Sequence, residues 1–326
     1  MTPPARPLLD HRLIIVTGKG GTGKTTVAAA LALAAQRAGR RVLVAETAAA
    51  ENVPRLLDPT CSEVGYAGRE FAPGLFVMRI DPYAALAEYI GLQLGAQRLA
   101  QRVLAFHPFH QLMDATPGWR ELITLGKIWH LEQKRRSDGR HQFDLLVVDA
   151  PATGHSLTFL DVPRVARSAV RSGPLRRHAG WVEALIHDPE RTLLLPVALA
   201  EELPARETIE LVTRLRDQLA VHVDRVVVNS VTPQPFPENI PDLDEQLAAL
   251  PDDTPLGTLP PVSVLAACAS HLHARFQLNR RYSESIARDT HLPLVPLPQL
   301  ATGVCGPKDL EVLGAALLRT PEVLAA

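Results

Sequence analysis

Cysteine is scarce in this chain of 326 residues: Cys61, Cys268 and Cys305 are far apart and odd in number. Neither a disulfide framework nor a C-x-x-C metal knuckle can be written from them, and a reducing compartment is expected. Net charge is also missing, since 34 Lys plus Arg stand against 35 Asp plus Glu, a formal balance of −1. That argues against a protein whose main business is coating nucleic acid or an anionic membrane. No stretch approaches the roughly 18 apolar residues of a membrane span, and residues 1–10 lack an apolar signal core. The expected location is the cytoplasm. No internal repeat occurs at a fixed period, which excludes a solenoid or a tandem duplication.

What the chain does have is apolar residues, at 46%, enough for a sizeable core. Short β-branched or Leu-rich runs recur at 13–17, 42–45, 75–80, 145–149, 192–197, 225–229 and 292–297. They have the look of strands buried on both faces. Between them lie stretches long enough for crossover helices, such as 26–38 and 205–219. The pattern predicts an α/β fold, a mostly parallel sheet of about seven strands with helices on both faces, in one domain over residues 1–326. Two intervals exceed a simple crossover, about 82–140 and 157–191, and are expected to be helical additions. The first carries Leu86, Ile90, Leu94, Leu99 and Val103 at roughly helical spacing; the second sets Arg164, Arg167 and Arg171 on one face, followed by Arg176 and Arg177. Each addition reads either as a partner surface or as core packing behind a solvated basic face.

The most specific signal is Gly18-Lys19-Gly20-Gly21-Thr22-Gly23-Lys24-Thr25, which satisfies G-x-x-x-x-G-K-S/T between an apolar strand and an Ala-rich helix opening at Thr26. Glycines let backbone N–H groups turn inward around phosphate oxygens, where a helix N-terminus adds partial positive charge. In such a phosphate-binding loop Lys24 would hold the β- and γ-phosphates and Thr25 the Mg²⁺. A second block, 145–155, is an apolar strand ending in Asp149, then Ala150-Pro151-Ala152-Thr153-Gly154-His155. A carboxylate delivered at a strand end suits the metal's coordination sphere, and the segment after it reads as a switch loop.

Lys19, directly after the first glycine, makes the loop resemble the deviant Walker A of nucleotide-dependent dimers, in which the extra lysine reaches the partner's phosphates. Together with that loop, Asp149-x-Pro151-x-Thr153-Gly154-His155 closely resembles switch II of the ArsA-like anion-transporting ATPase family. That family comprises the arsenite-pump ATPase and the ATPase that targets tail-anchored membrane proteins. The specific likeness covers about residues 13–52 and 145–160. The resemblance implies an ATP- and Mg²⁺-dependent dimeric switch that couples its nucleotide state to a partner or client protein. It also implies that Asp149 organises Mg²⁺ with Thr25, that Pro151, Thr153, Gly154 and His155 sense the γ-phosphate, and that Asn229 and Pro298 contact adenine.

The likeness fails at switch I. Where the family has Ser-Thr-Asp-Pro-Ala-His-Asn, this chain has Glu46-Thr47-Ala48-Ala49-Ala50-Glu51-Asn52, so Ala48 replaces the aspartate that would orient the attacking water. A methyl group can do no such thing; Glu46 or Glu51 could substitute if the loop is re-registered. The alternative is a catalytically silent ATP-binding subunit that pairs with an active paralogue. Other branches of the deviant loop fit less well. A ParA/MinD-like positioning switch would need a basic face, for which the Arg164 to Arg177 cluster is the one candidate, or a membrane-seeking end, and residues 308–326 carry too few basic residues for that. A nitrogenase-reductase-like enzyme needs cluster-ligating cysteines, which cannot be found. The same cysteine count argues against a structural zinc and against an arsenite site. The histidine pairs at 107 and 110 and at 271 and 273 are expected to be structural.

Overall fold

Runs in which every residue is apolar leave no polar face to give to water, so they belong in the middle of a sheet covered on both sides. In the computed structural model, which describes residues 6–48, 50–61, 63–94, 116–236, 243–252, 254 and 257–319, that is where they lie. The strands are β1 (Leu13–Thr17), β2 (Val42–Glu46), β3 (Arg69–Ala72), β4 (Leu75–Arg79), β5 (Leu145–Asp149), β6 (Thr192–Leu199), β7 (Val226–Val231) and β8 (Leu294–Pro298). They form one sheet in the order β3-β4-β2-β5-β1-β6-β7-β8, parallel throughout except where β3 turns back along β4. Seven match the expected runs. The eighth, β3, is an edge strand that starts with two exposed charged residues, Arg69 and Glu70, and slips register before Ala72. Edge strands of this kind carry no apolar signature, which is why composition did not reveal it.

The helices are α1 (Lys24–Arg37), α2 (Val53–Leu57), α3 (Pro82–Leu94), α4 (Trp119–Gln133), α5 (Thr153–Ala169), α6 (Pro174–His187), α7 (Glu202–Asp217), α8 (Leu243–Ala248), α9 (Val262–Thr290) and α10 (Pro307–Leu317). Side chains alternate along β1, with Ile14 and Val16 facing the layer of α1 and α10, and Leu13 and Ile15 facing the layer of α4, α6, α7 and α9. Alanines at 28, 29, 30, 32 and 35 keep α1 slim, and α10 comes so close that a Cβ on Gly314 would lie 2.8 Å from the Ala30 carbonyl oxygen.

Helices α3 and α4 fall in the first long interval, and α6 with most of α5 falls in the second. Residues 95–115, with Leu99, Val103, His107 and His110, lie outside the described part of the chain, as does the side chain of Leu94. Helices α3, α4 and α6 enclose an apolar cavity of about 150 Å³ lined by Tyr89, Ile123, Trp129, His178 and Val182 among others. Trp129 stacks on Trp181 at 5.1 Å, with the edge of His178 against both. Much of the arginine cluster is spent inside this region. Arg164 forks onto Asp161, Arg167 pairs with Glu183 at 2.9 Å, and Arg176 donates to the Val170 carbonyl.

At the amino ends of the parallel strands, fully buried Glu132 of α4 accepts from Arg12 at 2.9 Å and Arg191 at 2.5 Å, joining the first helical addition to the entrances of β1 and β6. His11, next to Arg12 in sequence, is buried, with neither ring nitrogen hydrogen-bonded among the described residues. Burial, helped by Arg6, His222 and Arg225 against the pull of Asp224, lowers its pKa to about 4. Among the described residues no helix is long and apolar enough to cross a membrane, and no group of three or more His, Cys, Asp or Glu is arranged to hold a metal.

Candidate nucleotide-binding site

The carboxyl ends of β1, β2, β5, β6 and β7 meet at the start of α1, the crevice where open α/β sheets take their ligands. The turn from β1 into α1 depends on glycine at two points. Gly18 has φ +143°, and a Cβ there would lie 2.4 Å from the Val197 carbonyl oxygen of β6. Gly23 has φ +88°, and its Cβ would meet the Asn229 amide at 2.2 Å. That amide donates to the Thr22 carbonyl at 2.9 Å, so β7 clamps the loop from the side. Asn229 is thus placed on the loop itself, while Pro298 ends β8 on the sheet's edge, paired with Val231.

Inside the loop the polar groups turn onto one another. The Lys19 carbonyl accepts from the Thr22 hydroxyl at 3.0 Å and from the Lys24 ammonium at 2.9 Å. Burial pulls the Lys24 pKa down, partly offset by nearby Asp149. An ammonium held by a main-chain carbonyl is one that a phosphate oxygen can take over, because the charged acceptor is the stronger one. The Lys19 side chain leaves the loop and pairs with Glu207 of α7. Gly20 lies near the segment after β5, where a Cβ on it would come 3.9 Å from the Ala152 Cβ. Gly21 and Thr26 complete the loop and the first turn of α1.

Asp149 ends β5 next to this turn. Its Oδ2 accepts from the Thr25 hydroxyl at 2.6 Å, and Oδ1 is buried with no hydrogen-bond partner among the described residues. Burial raises its pKa, against the Thr25 hydrogen bond and Lys24. A buried, unpartnered carboxylate oxygen beside a hydroxyl is the donor set that suits a hard cation such as Mg²⁺. Thr25 and Asp149 therefore fit that ion. Pro151 is half-buried behind Asp149, and Thr153, Gly154 and His155 open α5; the side chains from Thr153 to Ser156 lie outside the described part.

Glu46 and Glu51 part company. Glu51 is fully committed to structure, accepting from the Val64 and Gly65 amides at 2.5 and 2.9 Å and from Arg79 at 3.2 Å. Glu46 is level with Asp149 across the β2–β5 ladder. One of its oxygens receives the Asn52 and Val53 amides at 2.7 and 2.9 Å, capping α2, and the other is buried without a hydrogen-bond partner among the described residues. Burial outweighs those amides, and with Asp149 and Glu51 adding negative charge the Glu46 pKa rises to about 7. Thr47 donates its hydroxyl to the Asp149 carbonyl at 2.8 Å, tying the segment after β2 to the end of β5, and Ala48 is exposed. Glu207 was not singled out from sequence. It sits on a charge-rich helix that carries no motif, and only the fold brings it to Lys19.

Comparison with known proteins bears on the whole arrangement. The family model described as "Anion-transporting ATPase" matches residues 11–174. The chain is 34% identical to "ATPase BagA" of Mycobacterium tuberculosis over 71% of its own length and 68% of that protein. It is 28% identical to "ATPase GET3" of Rhodotorula glutinis, with 73% and 76% covered. It is 27% identical to "Arsenical pump-driving ATPase" of Escherichia coli, over 78% of this chain and 48% of that protein.

Proposed function

The chain belongs to the ArsA-like anion-transporting ATPase family, and from that premise we propose that it is a Mg²⁺-dependent, ATP-hydrolysing dimeric switch, cytoplasmic and acting as one domain, that couples its nucleotide state to a partner or client protein. The observation that carries this reading is the contact between Thr25 and Asp149 beside a loop whose Lys24 is held by a carbonyl that phosphate would replace. ATP would lie against Gly18 to Thr26, with Lys24 and the loop amides on the phosphates and Asn229 and Pro298 towards the adenine. Bound Mg²⁺ would supply charge neutralisation of the β- and γ-phosphates. Lys19 of one copy would reach the phosphates of the other, doing the work of an arginine finger. Pro151 and the first residues of α5 would carry the γ-phosphate state to the helical additions.

Of the two acids considered for the attacking water, Glu46 is the better placed, because one of its oxygens is uncommitted and Glu51 has none to spare. The test is isothermal titration of MgATP against Lys24→Ala. Loss of a charge-assisted contact to phosphate should weaken binding about 10- to 100-fold; unchanged affinity would remove the whole reading.

A second reading rests on Ala48, exposed where the family aspartate would stand: a silent subunit that binds ATP and completes its site with a paralogue. Steady-state turnover by the purified chain separates the two. Turnover lost in Lys24→Ala supports the active homodimer, and tight binding without turnover supports the silent partner.

A further inference from the structure

Two anions compete for one ammonium at the mouth of the loop. Glu207, on the first turns of α7, has Oε1 paired with the Lys19 Nζ and Oε2 buried without a hydrogen-bond partner among the described residues. A lysine ammonium is a compact point charge and cannot strongly serve a resident carboxylate and an arriving phosphate together. We propose that Glu207 is a positioning residue for Lys19: an intramolecular counterion that holds this lysine on its own subunit until nucleotide phosphate takes it. The inference rests on the loop being the nucleotide site and names a control on it.

Three observations bear on this. Both of the loop's lysines converge on position 19, for the Lys24 ammonium sits on the Lys19 carbonyl while the Lys19 side chain sits on Glu207. Phosphate drawing Lys24 away therefore frees one end of residue 19, and displacing Glu207 frees the other. Next, the pair is accessible, with side chains 41% and 36% exposed, so its strength is that of a surface ion pair, weak enough for a ligand to break. Finally, α7 packs against α5, the helix that opens with Thr153, so a shift of Glu207 is felt by the element that follows Asp149.

The test is a double-mutant cycle read by isothermal titration of MgADP and MgATP, with light scattering on the same samples. Glu207→Gln in the otherwise unaltered chain should tighten nucleotide binding about two- to fivefold, the size of a half-exposed ion pair. In a Lys19→Ala background the same change should do nothing, and ATP should bring Glu207→Gln to a higher mass at lower protein concentration than the parent. A merely structural Glu207 would lower the melting temperature and weaken binding equally in both backgrounds; that outcome, or no effect in either, overturns the proposal. Glu207→Ala serves as a second variant with the same expected cycle. If the unaltered chain binds no nucleotide, the site reading falls and this one with it. Binding that is normal but uncoupled removes only the role of Glu207.

Discussion

The two halves of the molecule are built by different rules. At the carboxyl ends of the strands, geometry is set by backbone and by short polar contacts: Gly18 against Val197, Asn229 on Thr22, Thr25 on Asp149. In the helical additions it is set by ring against ring, Tyr83 on Trp119 and Trp129 on Trp181, around an apolar cavity. The first region tolerates one residue type at each point, since a Cβ or a lost hydroxyl removes the contact. The second tolerates any filling of similar shape. The lesson is that chemistry and stability are separable here, and substitutions can be ranked by whether they respect that separation.

The largest effect is expected at Glu46. Glu46→Gln keeps a side-chain oxygen for the α2 amides and removes the carboxylate, so turnover should fall about 10²- to 10⁴-fold while MgATP affinity stays within about threefold. A variant that hydrolyses ATP normally would take the water-orienting role away from this residue. Next is Glu132, which joins the two regions. Glu132→Ala leaves Arg12 and Arg191 partly buried without their counterion, and should cost about 3 kcal/mol by urea unfolding. If nucleotide affinity also collapses, the two regions are not separable.

The smallest effect concerns acid, at the end of the sheet remote from the loop. His11 is neutral in the fold with a pKa of about 4, against about 6.5 unfolded, so below that unfolded value the unfolded chain binds the extra proton. Its contribution is fully present above about pH 6.5 and is lost as pH falls through about 4. His11→Phe should flatten that part of the stability profile with no change in nucleotide affinity; a profile that keeps its slope would assign the acid sensitivity to other groups.

How much of this was legible in the sequence follows the same division. The parallel sheet could be read because strands buried on both faces must be apolar throughout, and seven of them were. The Gly18 to Thr25 turn and the strand ending in Asp149 could be placed together because glycine spacing and an apolar run constrain local backbone, and the fold sets Thr25 on Asp149. Three things could not. Strand β3 is an exposed edge with charged residues, Glu51 is spent on amides that only folding brings to it, and Glu207 lies 188 residues from Lys19 in sequence. Glu46 and Glu51 could be named as candidates from sequence, but choosing between them required knowing which had an oxygen left over.

The seating of α1 carries a consequence for how the protein is made. The strand before it, β1, lies between β5 and β6, and the helix's apolar back is covered by α10, so the helix that follows the chain's most specific segment is sealed by elements translated far later. A ribosome that has finished α1 has made a slim alanine-rich helix whose outer cover is still to come. Such distant closures are slow and leave apolar surface open during synthesis. Nascent chains stalled before α10 should therefore be the ones that chaperones hold. Substituting Gly314 with a larger residue, which pushes α10 off Ala30, should lengthen that hold more than it changes any contact with nucleotide.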